Sequence, residues 1–275
     1  MGNVESEITA AATRSAELYN NGDLLGAIAV WDTVVQVYPD STTLFARAAL
    51  RVLVPELHAD AVKDFAGAVS KAPNNADRAN LAISAGSKCE EAGLFDAAIK
   101  FYGTGIEAEP KNAVCYYYRG LAYSHVGFPQ PSADDFSSAI ELNGSDGFAY
   151  LRRAVSNSEM GQMDEAFSDL NAATRFKDSF SSRPDIVQLL NTAHVAFGIQ
   201  FADRDLEMAL SALEVVVPTA NDDEILAIFK VLFDNIEDEQ SRKIATTVVN
   251  GIGKYSEETV EAINSLADQA GLDIA

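Results

Sequence analysis

The segment EAGLFDAAIKFYGTGIEAEPKN, residues 91–112, has similar counterparts both before and after it in the chain. Residues 20–41 read NNGDLLGAIAVWDTVVQVYPDS, and residues 159–179 read EMGQMDEAFSDLNAATRFKDS. Each segment runs from a Gly through a short turn to a small residue, then to a bulky residue and a helix stop. Self-similarity of this kind predicts that the chain stacks copies of one small structural unit.

Aligning the copies gives columns of residues that share a size. Small residues recur at steps of 34, 37, 34 and 34 positions: Ala27, Ala61, Ala98, Ser132 and Ala166. A bulky residue follows four positions later in each copy: Trp31, Phe65, Tyr102, Phe136 and Leu170. A second small column lies twelve positions earlier: Ser15, Ala49, Gly86, Gly120 and Ala154. Residues four apart share one helical face, so the columns predict antiparallel helix pairs that approach closely at the small residues.

The connections between the helices follow the same period. Four of the five copies place a Gly at the turn, where it can adopt the left-handed conformation that ends a helix: Gly22, Gly93, Gly127 and Gly161. The second copy has Glu56 at this place. Pro39, Pro73 and Pro110 follow the second helices, which they stop because proline lacks an N–H group. Three additional residues within 74–80 predict either a longer connection or an extra helical turn.

These columns resemble the tetratricopeptide-repeat family, with five repeats over residues 8–180. The family's Trp-Leu-Gly signature has its nearest counterpart in Tyr116, Arg119, Gly120 and Tyr123. The resemblance implies an all-α fold, a right-handed superhelix of antiparallel helix pairs. We expect residues 1–7 to be a flexible N-terminus. Residues 181–275 are expected to form a divergent repeat plus a helical cap, which includes a helix over residues 257–269 that begins after Ser256.

Composition restricts the class of function. The 275 residues are 48% hydrophobic with a formal net charge of −21, which is typical of a globular, soluble protein. So acidic a chain repels phosphate backbones, and we expect no nucleic-acid partner. The two cysteines, Cys89 and Cys115, are too few for a disulfide framework, which favours a reducing compartment and thus the cytoplasm.

The sequence offers no recognisable catalytic chemistry. Its three histidines, His58, His125 and His194, match no metal-ligand spacing. The motifs HExxH, GxxxxGK[ST] and GxSxG do not occur. We therefore predict no catalytic residue, no metal and no cofactor, and we expect that the chain is not an enzyme.

The resemblance also implies a binding site. In this family the first helices of the repeats line a concave groove that holds a segment of a partner protein. The matching positions of this chain are Leu50, Leu53, Tyr117, Tyr118, Leu121, Phe148, Leu151 and Arg152. The chain is therefore expected to be a non-catalytic scaffold or adaptor whose partner segment has apolar anchors and basic character. Alternatively, these side chains pack against neighbouring helices or against the C-terminal region.

One kind of partner is not expected. Family members that bind the acidic tail of cytosolic chaperones use a clamp of Lys, Asn and Arg across three successive first helices. Read from the first repeat, the corresponding residues are Ala12, Ala16, Arg47, Asn80 and Ser84. Read from the third repeat, they are Ile83, Ser87, Tyr118, Phe148 and Arg152. Neither set reproduces the clamp.

The N-terminus fits one modification pattern. MGNVES places Gly2 and Ser6 as N-myristoylation requires. A single acyl chain gives only weak, reversible membrane contact, with an association constant on the order of 10⁴ M⁻¹. This gives one alternative function, a membrane-tethered adaptor that is acylated at Gly2 and located peripherally on a membrane. A separate alternative is an enzyme or regulatory subunit whose active site arises only in a complex.

Overall fold

The structure, a computed structural model, describes residues 2–176, 226 and 256–269, and its regular secondary structure there is entirely helical. The helices are α1 (Gly2–Asn20), α2 (Leu24–Val37), α3 (Ser41–Arg51), a 3₁₀ helix (Pro55–Leu57), α4 (His58–Ser70), α5 (Asn75–Glu91), α6 (Phe95–Ala108), α7 (Ala113–His125), α8 (Pro129–Leu142), α9 (Gly147–Glu159), α10 (Met163–Arg175) and α11 (Glu257–Gln269). The predicted all-α fold is confirmed for these residues.

The chain divides into two compact units, residues 1–144 and residues 145–275. In the N-terminal unit the helices pack as four consecutive pairs, α1 with α2, α3 with α4, α5 with α6, and α7 with α8. In the C-terminal unit α9 packs against α10. We number these five pairs as repeats 1 to 5 and call the odd-numbered helices α1 to α9 the first helices.

The small column predicted from the sequence lies at the closest approach of each pair. Its five members are fully buried: Ala27, Ala61, Ala98, Ser132 and Ala166. The bulky column is buried as well, with Tyr102 fully enclosed. In repeat 4 the Ser132 hydroxyl donates to the carbonyl oxygen of Gly120 at 2.9 Å, so the two helices touch at these residues. Small residues here allow the backbones to meet, and the bulky residue one turn later fills the space beside them.

The four predicted turn glycines have positive φ angles, between 74° and 83°. Repeat 2 turns differently, through the 3₁₀ helix at Pro55–Leu57. This connection has six residues, 52–57, where the other repeats have three, and it shifts the register of α3 by one residue. Ala48 is therefore the fully buried small residue of α3, whereas Ala49 is only half-buried. The assignment of Ala49 to the small column was wrong for this reason.

The three additional residues before repeat 3 lengthen a helix. Helix α5 has 17 residues, against 11 in α3 and 13 in α7. It begins after Asn74, whose side chain accepts a hydrogen bond from the backbone N–H of Asp77 at 2.8 Å. Of the two interpretations, the extra helical turn is correct. The addition lies at the N-terminal end of α5, so the later residues of this helix keep the same face as their counterparts in other first helices.

The structure contradicts the prediction for the N-terminal residues and agrees with the prediction for the last described helix. Helix α1 begins at Gly2, so residues 2–7, assigned above to a flexible N-terminus, are helical. At the other end, Glu257–Gln269 is helical as predicted, and the Ser256 hydroxyl oxygen accepts from the N–H of Thr259 at 3.2 Å. The remaining prediction for residues 181–275 falls outside the described residues.

Candidate functional site

Helices α5 and α7 are neighbouring first helices that contact each other. Six side chains lie on corresponding sides of the two helices, and we call them the α5–α7 face: Ile83, Glu90, Tyr117, Tyr118, Leu121 and His125. Ile83 and Glu90 are seven residues apart in α5, as are Tyr118 and His125 in α7, and this spacing keeps each pair on one helical side. None of the six is fully buried.

The two tyrosines of this face are held by rings beneath and beside them. Tyr118 stacks on the buried ring of Tyr102, with centroids 5.8 Å apart and an interplanar angle of 19°. Tyr117 meets Tyr118 edge-on at 5.7 Å and meets Phe136 of α8 at the same distance. Aromatic contacts of this geometry add to the stability gained by burial. The tyrosines therefore present half-buried rings whose positions are fixed before anything binds.

Glu90 is the acidic residue of the face and lies near the C-terminal end of α5. Its Oε2 accepts a hydrogen bond from the Tyr102 hydroxyl at 2.5 Å, and its Oε1 lies 3.5 Å from Nδ1 of His125. The His125 ring in turn packs against Phe95, with centroids 5.3 Å apart. Burial, and then the bond to Glu90, raise the pKa of Tyr102 above its usual range. Tyr102 therefore stays neutral and keeps donating to the carboxylate.

The arginines of α3 lie away from this face, in a cluster of four charges. Arg47 binds Asp64 of α4 through two hydrogen bonds of 2.7 Å, and Arg51 donates to the same carboxylate at 2.9 Å. Both arginines also reach Asp32 of α2, at 3.1 Å and 2.6 Å. The pKa of Arg47 is raised by its bond to Asp64. This cluster joins repeat 1 to repeat 2.

The same pairing recurs in two other repeats. Arg119 of α7 binds Asp135 of α8 at 2.8 Å and 2.7 Å, and Arg153 of α9 binds Asp169 of α10 at 2.8 Å and 2.6 Å. In each case Arg precedes the buried small residue of the first helix, and Asp follows the buried small residue of the second helix by three positions. The sequence analysis missed these pairs, although they form two further columns of the alignment.

Comparisons with known proteins agree with this repeat architecture. No family model matches the chain. Human serine/threonine-protein phosphatase 5 is 36% identical over 83 residues, which are 30% of this chain and 17% of that protein. The tetratricopeptide repeat and J domain-containing co-chaperone DNJ1 of Cryptococcus neoformans var. grubii is 31% identical over 104 residues, 38% of this chain and 20% of that protein. The matched segments thus span about a fifth of these relatives. The helix pairs have the fold of tetratricopeptide repeats.

Among solved structures, the MamA protein is 20% identical to this chain, with a TM-score of 0.49. The similarity covers 66% of this chain and 97% of that one.

Within the tetratricopeptide repeats, the predicted groove residues of α3 need correction. The longer turn of repeat 2 puts Ala49, and not Leu50, at the position that Leu121 has in repeat 4. Leu50 is half-buried and Leu53 is exposed. The counterpart of Ile83 and Tyr117 in α3 is Phe45, which the sequence analysis missed because of the same shift. Phe45 packs edge-on against Phe65, at a centroid distance of 5.0 Å.

In repeat 5, in the C-terminal unit, the predicted groove residues have different environments. Arg152 is exposed and Phe148 is half-buried. Leu151 is 4% exposed, because it packs in a cluster with Ala154, Leu170 and Ala173. Its assignment to an accessible groove was therefore wrong, since an apolar side chain at this position is taken up by the core of the repeat.

Both thiols of the chain, Cys89 and Cys115, are buried. Burial raises the pKa of the Cys89 thiol to about 12 and that of the Cys115 thiol to about 11. Both thiols are therefore protonated and poorly nucleophilic near neutral pH. Among the described residues, no group of His, Cys, Asp and Glu side chains is arranged to hold a metal, and no helix is long and apolar enough to cross a membrane. The acylation of Gly2 stays a prediction.

Proposed function

We propose that this chain is a non-catalytic scaffold that binds a segment of a partner protein on its first helices, principally on the α5–α7 face. The observation that carries the proposal is the pair of half-buried, ring-supported tyrosines, Tyr117 and Tyr118. Tyrosines are enriched among the residues that dominate binding energy in protein interfaces. Rings that are already immobilised lose little conformational entropy when a partner covers them.

An apolar row extends the surface beyond these tyrosines. Phe45, Ile83 and Tyr117 occupy the same position in repeats 2, 3 and 4, three residues before the buried small residue of each first helix. All three are partly exposed. Each of these three repeats thus contributes one apolar contact, and a row of such contacts suits an extended or helical segment with regularly spaced apolar residues.

The curated relatives support the repeat fold, but we do not assign their activities to this chain. The match to phosphatase 5 covers only 17% of that enzyme, so we transfer no phosphatase activity.

Both cysteines of this chain are unpaired and buried, and we place the protein in a reducing compartment, the cytoplasm. We propose that its partner there is a protein or peptide.

The test begins with selection of 12-residue random peptides by phage display against the immobilised full-length protein. Affinities of the selected peptides are then measured by fluorescence anisotropy for the wild type and for Tyr118→Ala. We expect Tyr118→Ala to weaken binding about thirtyfold, which corresponds to about 2 kcal/mol. Leu25→Ala is the control, since Leu25 is 68% exposed and lies on α2, outside the first helices.

Circular dichroism and thermal melting show whether Tyr118→Ala keeps its helices. If the variant loses thermal stability yet keeps full affinity for the selected peptides, the tyrosines serve packing alone and the proposal is wrong. Equal losses in Tyr118→Ala and Leu25→Ala would also contradict it, because the binding surface would then lie elsewhere.

A further inference from the structure

We infer that the α5–α7 face selects a basic partner segment, and that the segment places an Arg or Lys side chain against the carboxylate of Glu90. The inference rests on the proposed function, because it names the chemistry of the partner at the same face. It follows from three features of the N-terminal unit: the support of the Glu90 carboxylate, the helix ends around it, and the positions of the basic side chains.

The carboxylate of Glu90 is held in place before binding. The Tyr102 hydroxyl donates to Oε2 at 2.5 Å, and Tyr102 is fixed because its ring is fully buried and stacked on Tyr118. The Glu90 side chain is 17% exposed, so most of its hydration is gone while one side stays open. A charge in this state gains more from an incoming cation than a fully hydrated surface charge does.

The ends of two helices add to the negative potential. Glu90 is the penultimate residue of α5, and His125, 3.5 Å from its carboxylate, is the last residue of α7. The unpaired carbonyl groups at a helix C-terminus carry a partial negative charge that favours cations nearby. Glu90 therefore lies where two helix C-termini meet. Tyr118 and Leu121 lie on the same side of α7 as His125, and their apolar parts suit the methylene stem of a Lys or Arg side chain.

Several basic side chains among the described residues are bound elsewhere, and His125 lies against the Glu90 carboxylate at 3.5 Å. In α3 and α7 the arginines Arg47, Arg51 and Arg119 are bound to aspartates away from the face. Lys88 of α5 binds Glu91 at 2.6 Å. Arg78 is twelve residues before Glu90, about 18 Å along the helix. The net charge of −21 further favours encounters with basic segments.

The inference is tested with synthetic fluorescein-labelled 12-residue peptides. Each peptide carries two Leu and one Trp as apolar anchors and a central position occupied by Arg, Gln or Glu. We expect the full-length wild type to bind the Arg peptide at least tenfold more tightly than the Glu peptide. Glu90→Gln keeps a hydrogen-bond acceptor for Tyr102 and should reduce this preference to less than threefold. Glu91→Gln removes the same charge one residue away and should retain it.

A charge reversal provides a second measurement that does not depend on loss of binding. Glu90→Lys should prefer the Glu peptide over the Arg peptide, provided that its thermal melting shows a folded chain. If the peptides bind the wild type and lose affinity in Tyr118→Ala but show no preference for Arg, the inference is wrong and the proposed function stands. If no peptide of this series or of the phage-selected set requires Tyr118, the proposed function fails and the inference fails with it.

Discussion

Gly86 of α5 and Tyr102 of α6 pack so closely that a Cβ atom on Gly86 would lie 2.4 Å from Cε1 of the tyrosine. This approach places the Tyr102 ring under Tyr118 and its hydroxyl on Glu90. The core of repeat 3 and the α5–α7 face therefore share one side chain. Substitutions that disturb the packing of repeat 3 should therefore also displace the side chains of the α5–α7 face.

The first prediction concerns this contact. Gly86→Ala should lower the free energy of unfolding by about 1–3 kcal/mol, because the buried ring has no room to move away from the new methyl group. The loss should appear although alanine favours a helix over glycine by about 1 kcal/mol. Urea denaturation measures the difference.

Gly103→Ala is the matched control in α6. A Cβ atom there would meet only Nη1 of Arg119, at 3.8 Å, which is an ordinary contact. Its stability should stay equal to that of the wild type or rise by up to about 1 kcal/mol. A Gly86→Ala variant as stable as Gly103→Ala would contradict the close packing described for repeat 3.

A second prediction concerns the ion pair of repeat 4. Arg119→Met keeps an unbranched side-chain stem but removes the guanidinium group, and it leaves Asp135, which is 4% exposed, without its cation. We expect a loss of about 3 kcal/mol in the free energy of unfolding, since an uncompensated buried charge is costly. Adding Asp135→Leu to this variant should restore most of the loss. The single and double variants are compared by denaturant unfolding.

The surface pair of Arg14 and Glu17 is the control for this series. Both side chains are more than half exposed, so Arg14→Met should change stability by less than about 1 kcal/mol. If Arg119→Met had as small an effect as Arg14→Met, the pairs between first and second helices would contribute little to the fold.

The third prediction concerns alkaline pH. The pKa of the Cys89 thiol is about 12 and that of the Cys115 thiol about 11 in the folded protein, both above the ordinary value of 9.0. Between pH 9 and these values the unfolded chain loses protons that the folded chain keeps. Stability should therefore fall as the pH rises from 9 to 11, by up to about 1.4 kcal/mol per pH unit for each thiol.

Urea unfolding under reducing conditions at several pH values between 8 and 11 gives this slope. The double variant Cys89→Ala/Cys115→Ala should have a shallower slope, whatever its absolute stability. Tyr102 contributes in the same direction above pH 10, because its pKa is raised as well. An unchanged slope in the double variant would show that the thiols are not protected by burial.

The fourth prediction concerns chaperone tails. Isothermal titration calorimetry with the chaperone peptide SRMEEVD should show no tighter binding than with a scrambled peptide. Among the residues read at clamp positions from the first repeat, the one cation is Arg47, which is bound to Asp64 and Asp32 and which the register shift of α3 moves off the clamp position. Low-micromolar binding of SRMEEVD would overturn the prediction.

The fold could be predicted because its determinants are periodic. The small and bulky columns, the turn glycines and the Ser256 cap depend on residue size and local backbone conformation, which a single sequence displays directly. The register of α3 could not be predicted in this way. Its turn lacks a Gly and inserts a 3₁₀ helix instead, so alignment by spacing alone chose Ala49 over Ala48.

The candidate face was only partly predictable. Tyr117, Tyr118 and Leu121 followed from the position of the family's first helix, but Glu90 gains its importance from Tyr102 and His125, which lie on two other helices. Leu151 was misplaced because helical position does not tell how deeply a neighbouring helix covers a side chain. Such relationships depend on tertiary packing and appear only in three dimensions.

The charge cluster of Asp32, Arg47, Arg51 and Asp64 also restricts where the chain can be truncated between repeats without loss of stability. Stacked repeats are often treated as modules that can be removed one at a time from an end. Here a truncation before α3 would leave two guanidinium groups sharing the single carboxylate of Asp64. We therefore expect repeats 1 and 2 to unfold together, and a stable fragment that contains α3 should also retain α2.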